Sequence, residues 1–304
     1  MNHLSFFWLP DNRELLISGI EGEFAQLIER SISTGKVVLP PIPEVVQKIQ
    51  RLSTSDETTI ADVAECLLED PSLAAIILRV ANSVIFNRRN ITCTDLNTSV
   101  ARLGVTRVRD IVTAQAIEQL KRSVNLSVQC NTMLKTSAGY SRELGATMVI
   151  VVKSYQEDSS EYRYLAEDKA LLVGLLADIG LFCLVNEYYL YLENGNYLSE
   201  DIALQVFRAL CPMASQLVLK NWGFDDDFIS VATNIKSNFD DERVSYLDIA
   251  RISHQLLTVR KQEDPDTRFM PTDVKASNIL GKLTQLSDHD FQTQIDDIIS
   301  TSGL

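Results

Sequence analysis

The chain has 304 residues, 45% hydrophobic and 23% charged with 12 Gly and 8 Pro, a composition that excludes fibrous and low-complexity proteins and allows one large core or two smaller ones. Against 28 Lys and Arg stand 41 Asp and Glu, so the net charge of −13 opposes direct contact with nucleic acid or an anionic membrane surface. Five cysteines, odd in number, widely spaced and without a C-x-x-C pair, read as reduced thiols of a cytoplasmic protein.

The N-terminus MNHLSFFWLPDNRELL has no basic segment and no small-residue cleavage site, so it does not read as a signal peptide. Residues 1–31 read as an extension: an aromatic cluster, Phe6, Phe7 and Trp8, then a helix whose Leu16, Ile20, Phe24, Leu27 and Ile28 share one face. LPPIP at 39–43 interrupts the chain, and the next helix, beginning at Pro43 and Glu44, places Val45, Val46, Ile49 and Leu52 on an apolar face. Thr59 with Asp62 three residues on forms a capping signal for a short helix to about Glu69.

The chain is organised around the next stretch, PSLAAIILRVANSVIF at 71–86. Leu73, Ile76, Ile77, Val80, Val84 and Ile85, with Arg79 the sole charge, predict a helix that is apolar on nearly every face and must be enclosed by others. Asp70 suits the cap, Pro71 the first helical position, and Asn82-Ser83 offers polar side chains at the far end. The run falls short of the roughly 20 residues a membrane span needs, and Arg79 sits in its middle.

NRRNITCTD follows as a polar connection in which Arg88 and Arg89 either are solvated or meet an anion or partner. Leu96 to Leu103 forms a short helix stopped by Gly104, and Thr106 caps the next, with Val108, Ile111, Val112 and Ile117 at helical spacing. Farther on the helices lengthen: 127–153, then, after the surface turn QEDSSEYRY, ALLVGLLADIGLFCLV at 170–185. Asp178 is the only charge in that second helix and must be paired with backbone N–H groups or a basic side chain, because an isolated buried carboxylate costs several kcal/mol. Asn194-Gly195 marks a turn before helices at 199–210, 212–222 (closed by Gly223) and 225–236, while Ser245 with Asp248 and Ser287 with Asp290 open two C-terminal helices. No run has the alternation and turn chemistry of a sheet, so the predicted fold is all-α.

A metal hydrolase would need clustered histidines, yet the chain has only His3, His254 and His289. Asp225, Asp226 and Asp227 read as a helix N-terminus rather than a cation site. Phosphate loops, dinucleotide turns and nucleophile elbows are absent, and nothing singles out one cysteine as a nucleophile. From the residues alone this is an acidic helical protein without a catalytic residue, metal ligand or cofactor site, which favours binding over catalysis.

LPPIPEVVQKIQ, TIADVAECLLEDPSLAAIILRVANS and DLNTSVARLGVTRVRDIVTAQAI resemble the HDOD domain, a bacterial module related to HD-type metal phosphohydrolases. Asp70, Pro71, Leu78, Asn82, Ser83, Leu103 and Gly104 carry the likeness, which continues through GLLADIG at 174–180 and KNWGF at 220–224. The resemblance implies an N-terminal helical lobe, 32–122, packed on a degenerate HD-like lobe with C-terminal helices, 123–304. It also implies a vestigial site: Ala177 stands where relatives often have the namesake histidine, Asp178 is kept, and Cys211 and Asn234 fall near where an HD enzyme supplies further histidines. The implied role is a non-catalytic signal-transduction module in the bacterial cytoplasm, without membrane span or cofactor. Its partners would be other signalling proteins, such as two-component or cyclic-di-nucleotide pathway members. The alternatives are a small-molecule or nucleotide sensor using the degenerate HD cavity and a divergent HD hydrolase.

Overall fold

Helix caps written into the sequence decide where this chain turns. A computed structural model describes residues 22–35, 42–87, 91–123, 127–236, 243–261 and 274–302, and every regular element among them is helical. The fold is all-α. Contacts group the described residues into two units, each assembled from three stretches: one from residues before 42, 117–141 and 176–241, the other from 42–116, 142–175 and 242–304. The Val128–Asp158 helix lends residues to both units.

In the first unit the Glu200–Asn221 helix packs against Glu23–Ser33, Gly180–Glu193 and Asp226–Thr233. Phe24, Tyr188 and Phe207 meet edge to face there, with ring centroids 5.8 to 6.5 Å apart. Of the apolar stripe of the N-terminal extension, Phe24 and Ile28 are therefore core while Leu27 is exposed; Phe6, Phe7, Trp8, Leu16 and Ile20 lie outside the described residues. The sequence predicts a break at Cys211, but Glu200–Asn221 is one helix with Pro212 inside it, closed by Gly223 at φ 70°. Pro212 is buried, so the packing of its helix overrides its usual breaking effect. The next helix, expected to run to 236, ends at Thr233 because Asn234 adopts the left-handed conformation, at φ 53°.

In the second unit Glu44–Leu52, Ile60–Leu68, Pro71–Asn82 and Leu96–Leu103 pack in succession. Thr59 and Asp62 form the expected capping box, Asp70 accepts from the N–H groups of Ser72 and Leu73 at 2.9 and 3.2 Å, and Gly104 takes a positive φ of 80°. Two expectations fail here. Thr106 lies inside the Val105–Ser123 helix rather than capping it, and the organising helix stops at Asn82 instead of 86. The stop has a cause: Asn82 Nδ2 donates to Leu78 O and Cys93 O at 2.9 and 2.8 Å, while its Oδ1 accepts from Cys93 N at 2.7 Å. The helix is also less enclosed than its composition suggests. Leu73, Ile76, Ile77 and Val80 are buried, but Pro71, Ser72, Ala75, Arg79 and, beyond its end, Val84 are exposed.

The Val128–Asp158 helix and the Glu167–Leu176 helix meet at two glycines, where a Cβ on Gly174 would lie 2.6 Å from Gly145 N. Farther on, Tyr246–Arg260, which begins with the expected Ser245–Asp248 capping box, packs on Val274–Thr284. Its Arg260 guanidinium lies 4.2 Å from the Phe291 ring centroid and donates to the Leu283 and Leu286 carbonyls. By length and composition Glu167–Glu193 and Glu200–Asn221 could cross a bilayer, yet 89% and 61% of their most apolar windows are buried, as in core helices.

Candidate functional site

The stretch expected as one helix over 170–185 is broken at Ala177–Ile179 into Glu167–Leu176 and Gly180–Glu193. At the joint Ile179 N donates to Leu176 O at 3.2 Å and Leu181 N to Asp178 O at 2.9 Å, both three residues back. The Gly180 N–H donates sideways to Ser215 Oγ at 2.9 Å, and a Cβ at Gly180 would lie 2.7 Å from Ala214 C. Only glycine fits where the two helices cross this closely, and the crossing anchors the residue two positions after Asp178.

Asp178 is 2% exposed. Its Oδ1 accepts from Ser141 Oγ at 2.8 Å and its Oδ2 accepts from Ser137 Oγ. Ser137 and Ser141 are fully buried and four residues apart on the Val128–Asp158 helix, so one face of that helix aims both hydroxyls at the carboxylate. The sequence suggests backbone N–H groups or a basic side chain as donors; serine hydroxyls donate to both oxygens. Sequence reasoning missed the two serines, whose visible signal is two hydroxyls at i, i+4 on an otherwise apolar face.

The donor set around Asp178 does not fit the metal of an HD enzyme. Ala177 offers no ligand, serine hydroxyls are weak ligands for transition metals, and no three His, Cys, Asp or Glu converge among the described residues. Cys211 Sγ lies 3.8 Å from Ser215 Oγ, in the packing behind Gly180, and burial raises the pKa of the Cys183 thiol to about 12. Asn234 serves as the helix cap described above.

The signature residues Asp70, Pro71, Leu78, Asn82, Ser83, Leu103 and Gly104 come together in the other unit. There they start, stop and connect helices: Ser83 Oγ donates to Val80 O at 2.8 Å, and Leu103 is buried. They form no constellation of titratable groups. Arg88 and Arg89 lie outside the described residues.

No curated protein matches the chain. Among solved structures it is similar to a provisionally named metal-dependent phosphohydrolase from Shewanella amazonensis SB2B, with a TM-score of 0.68 and 21% identity over 96% of this chain and 100% of that one. A provisionally named phosphohydrolase from the same organism gives a TM-score of 0.51 and 15% identity, over 94% and 97% of the two chains. A provisionally named signal transduction protein from Marinobacter aquaeolei VT8 also gives 0.51, with 16% identity over 96% of this chain and 66% of that one. At such identities these likenesses establish the fold alone. The model of the HDOD domain matches residues 39–251, more than two thirds of the sequence, and the chain belongs to the HDOD domain family.

Proposed function

We propose that this protein is a non-catalytic regulatory module of bacterial signal transduction that acts in the cytoplasm through protein–protein contacts. One observation carries the reading: the carboxylate that an HD enzyme would spend on metal is buried here, with both oxygens taken by Ser137 and Ser141 and an alanine beside it. The name of the Marinobacter relative supports a signalling role, while the names of the two Shewanella relatives point to hydrolysis, for which Asp178 and its neighbours lack a ligand set. The same satisfied carboxylate disfavours a ligand seated in the degenerate HD cavity. The net charge of −13 directs the partner search toward proteins rather than nucleic acid, and the partners we propose are two-component or cyclic-di-nucleotide pathway proteins.

Two measurements test this. Purified protein incubated with Mn²⁺, Fe²⁺ or Mg²⁺ and bis-p-nitrophenyl phosphate should turn over no faster than its Asp178→Ala variant. Affinity capture from the native bacterium should return a specific signalling protein. Asp178-dependent hydrolysis, together with stoichiometric bound metal, would overturn the proposal.

A further inference from the structure

The second unit holds a pocket of about 490 Å³ lined, among the described residues, by three arginines, Arg102, Arg107 and Arg163, with a single carboxylate, Asp168. In a chain of net charge −13, this local excess of guanidinium reverses the prevailing sign, and clustered like charges in a concavity raise the local concentration of counter-ions. The three arginines differ in how they are held. Arg102 is anchored by one donor to Ala81 O at 2.9 Å, Arg107 is paired with Asp168, and the exposed Arg163 makes no ion pair among the described residues. Anchoring through one nitrogen leaves the other donors of Arg102 for a ligand, and pairing with Asp168 orients Arg107 in advance. The half-buried Phe86 and the buried Leu103 supply apolar wall to the same space.

We propose that this pocket binds a small phosphorylated organic molecule of mononucleotide size, its phosphate held by Arg102, Arg107 and Arg163 and its less polar part against Phe86 and Leu103. The forked donors of arginine match phosphate oxygens, and the volume falls in the range of about 300–1,000 Å³ typical of small-molecule sites. The pocket is built wholly within the second unit, whereas Asp178 belongs to the first, so it is not the vestigial HD site. Binding here neither requires nor excludes the regulatory role proposed above.

The test is calorimetric titration of the full chain at low ionic strength with AMP, GMP, CMP, UMP and ribose 5-phosphate, with inorganic phosphate and adenosine as comparisons. At least one phosphorylated compound should bind one to one and more tightly than inorganic phosphate, and adenosine should not bind. Arg163→Glu should weaken that binding about tenfold or more, because it replaces a charge-assisted donor with a repelling carboxylate. Its melting temperature should stay unchanged, since the side chain is exposed and makes no ion pair among the described residues. Arg102→Gln is the second variant and should also weaken binding; Arg107 is left intact because removing it would strand the buried Asp168. Absence of binding by all the phosphorylated compounds overturns the proposal, as does inorganic phosphate binding as tightly as they do. An affinity unchanged by either substitution overturns it too.

Discussion

Asp178 is a buried carboxylate in an apolar run. A carboxylate in an apolar run must find hydrogen-bond donors, and here Ser137 and Ser141 supply them from one face of a helix. Asp178→Ala should cost about 1–3 kcal/mol in urea denaturation, since it leaves buried hydroxyls short of a partner. Asp178→Asn should cost less, because the amide oxygen accepts from one hydroxyl while the amide nitrogen donates to the other. Equal unfolding midpoints for wild type and Asp178→Ala would show that the carboxylate anchors nothing.

At the scale of elements, glycines do the work that the helical pattern conceals. Gly174 meets Gly145 and Gly180 meets Ser215, each at a distance that leaves no space for a Cβ, so the glycines that bracket GLLADIG are set by helix crossings rather than by turns. Gly174→Ala should destabilise the protein by about 1–3 kcal/mol or prevent folding, because backbone rather than a flexible side chain would have to move. Gly139, in the interior of the Val128–Asp158 helix, is the control, since a methyl group added there would meet nothing within 4 Å. Gly139→Ala should stabilise by about 0.5–1 kcal/mol, as removal of an unneeded helical glycine does. Thermal melts of the two variants moving in the same direction would refute the assignment.

Over the whole molecule the five cysteines report on packing. All are buried, and burial raises the thiol pKa values of Cys66, Cys130 and Cys183, the last to about 12. Raised pKa values mean that almost no thiolate forms near neutrality, and enclosure keeps reagents out. Ellman's reagent at about pH 8, close to the ordinary thiol pKa of about 8.5, should therefore react only as fast as the protein opens, and should find all five thiols at once in concentrated urea. Rapid modification of the folded chain would show that one thiol is accessible without unfolding.

The sequence by itself determined what depends on neighbours a few residues apart. The all-α class, the capping boxes at Thr59 and Ser245, the Asp70–Pro71 start and the stops at Gly104 and Gly223 are local hydrogen-bond and backbone problems, solved within one helical turn. The family likeness was also legible, because its motifs are contiguous. Only the tertiary structure decided how Asp178 is satisfied, since its serines stand 41 and 37 residues earlier and their place on an apolar helix face does not say which group they meet. The C-terminal end of the organising helix, the break at Ala177–Ile179 and the continuity through Pro212 were likewise tertiary decisions, made by Asn82 gripping Cys93, by the anchored joint and by the buried face of one long helix. The arginine pocket belongs to the same class. Arg102, Arg107 and Arg163 each read as surface charge in isolation, and only packing of segments some 60 residues apart in sequence gathers them around one space.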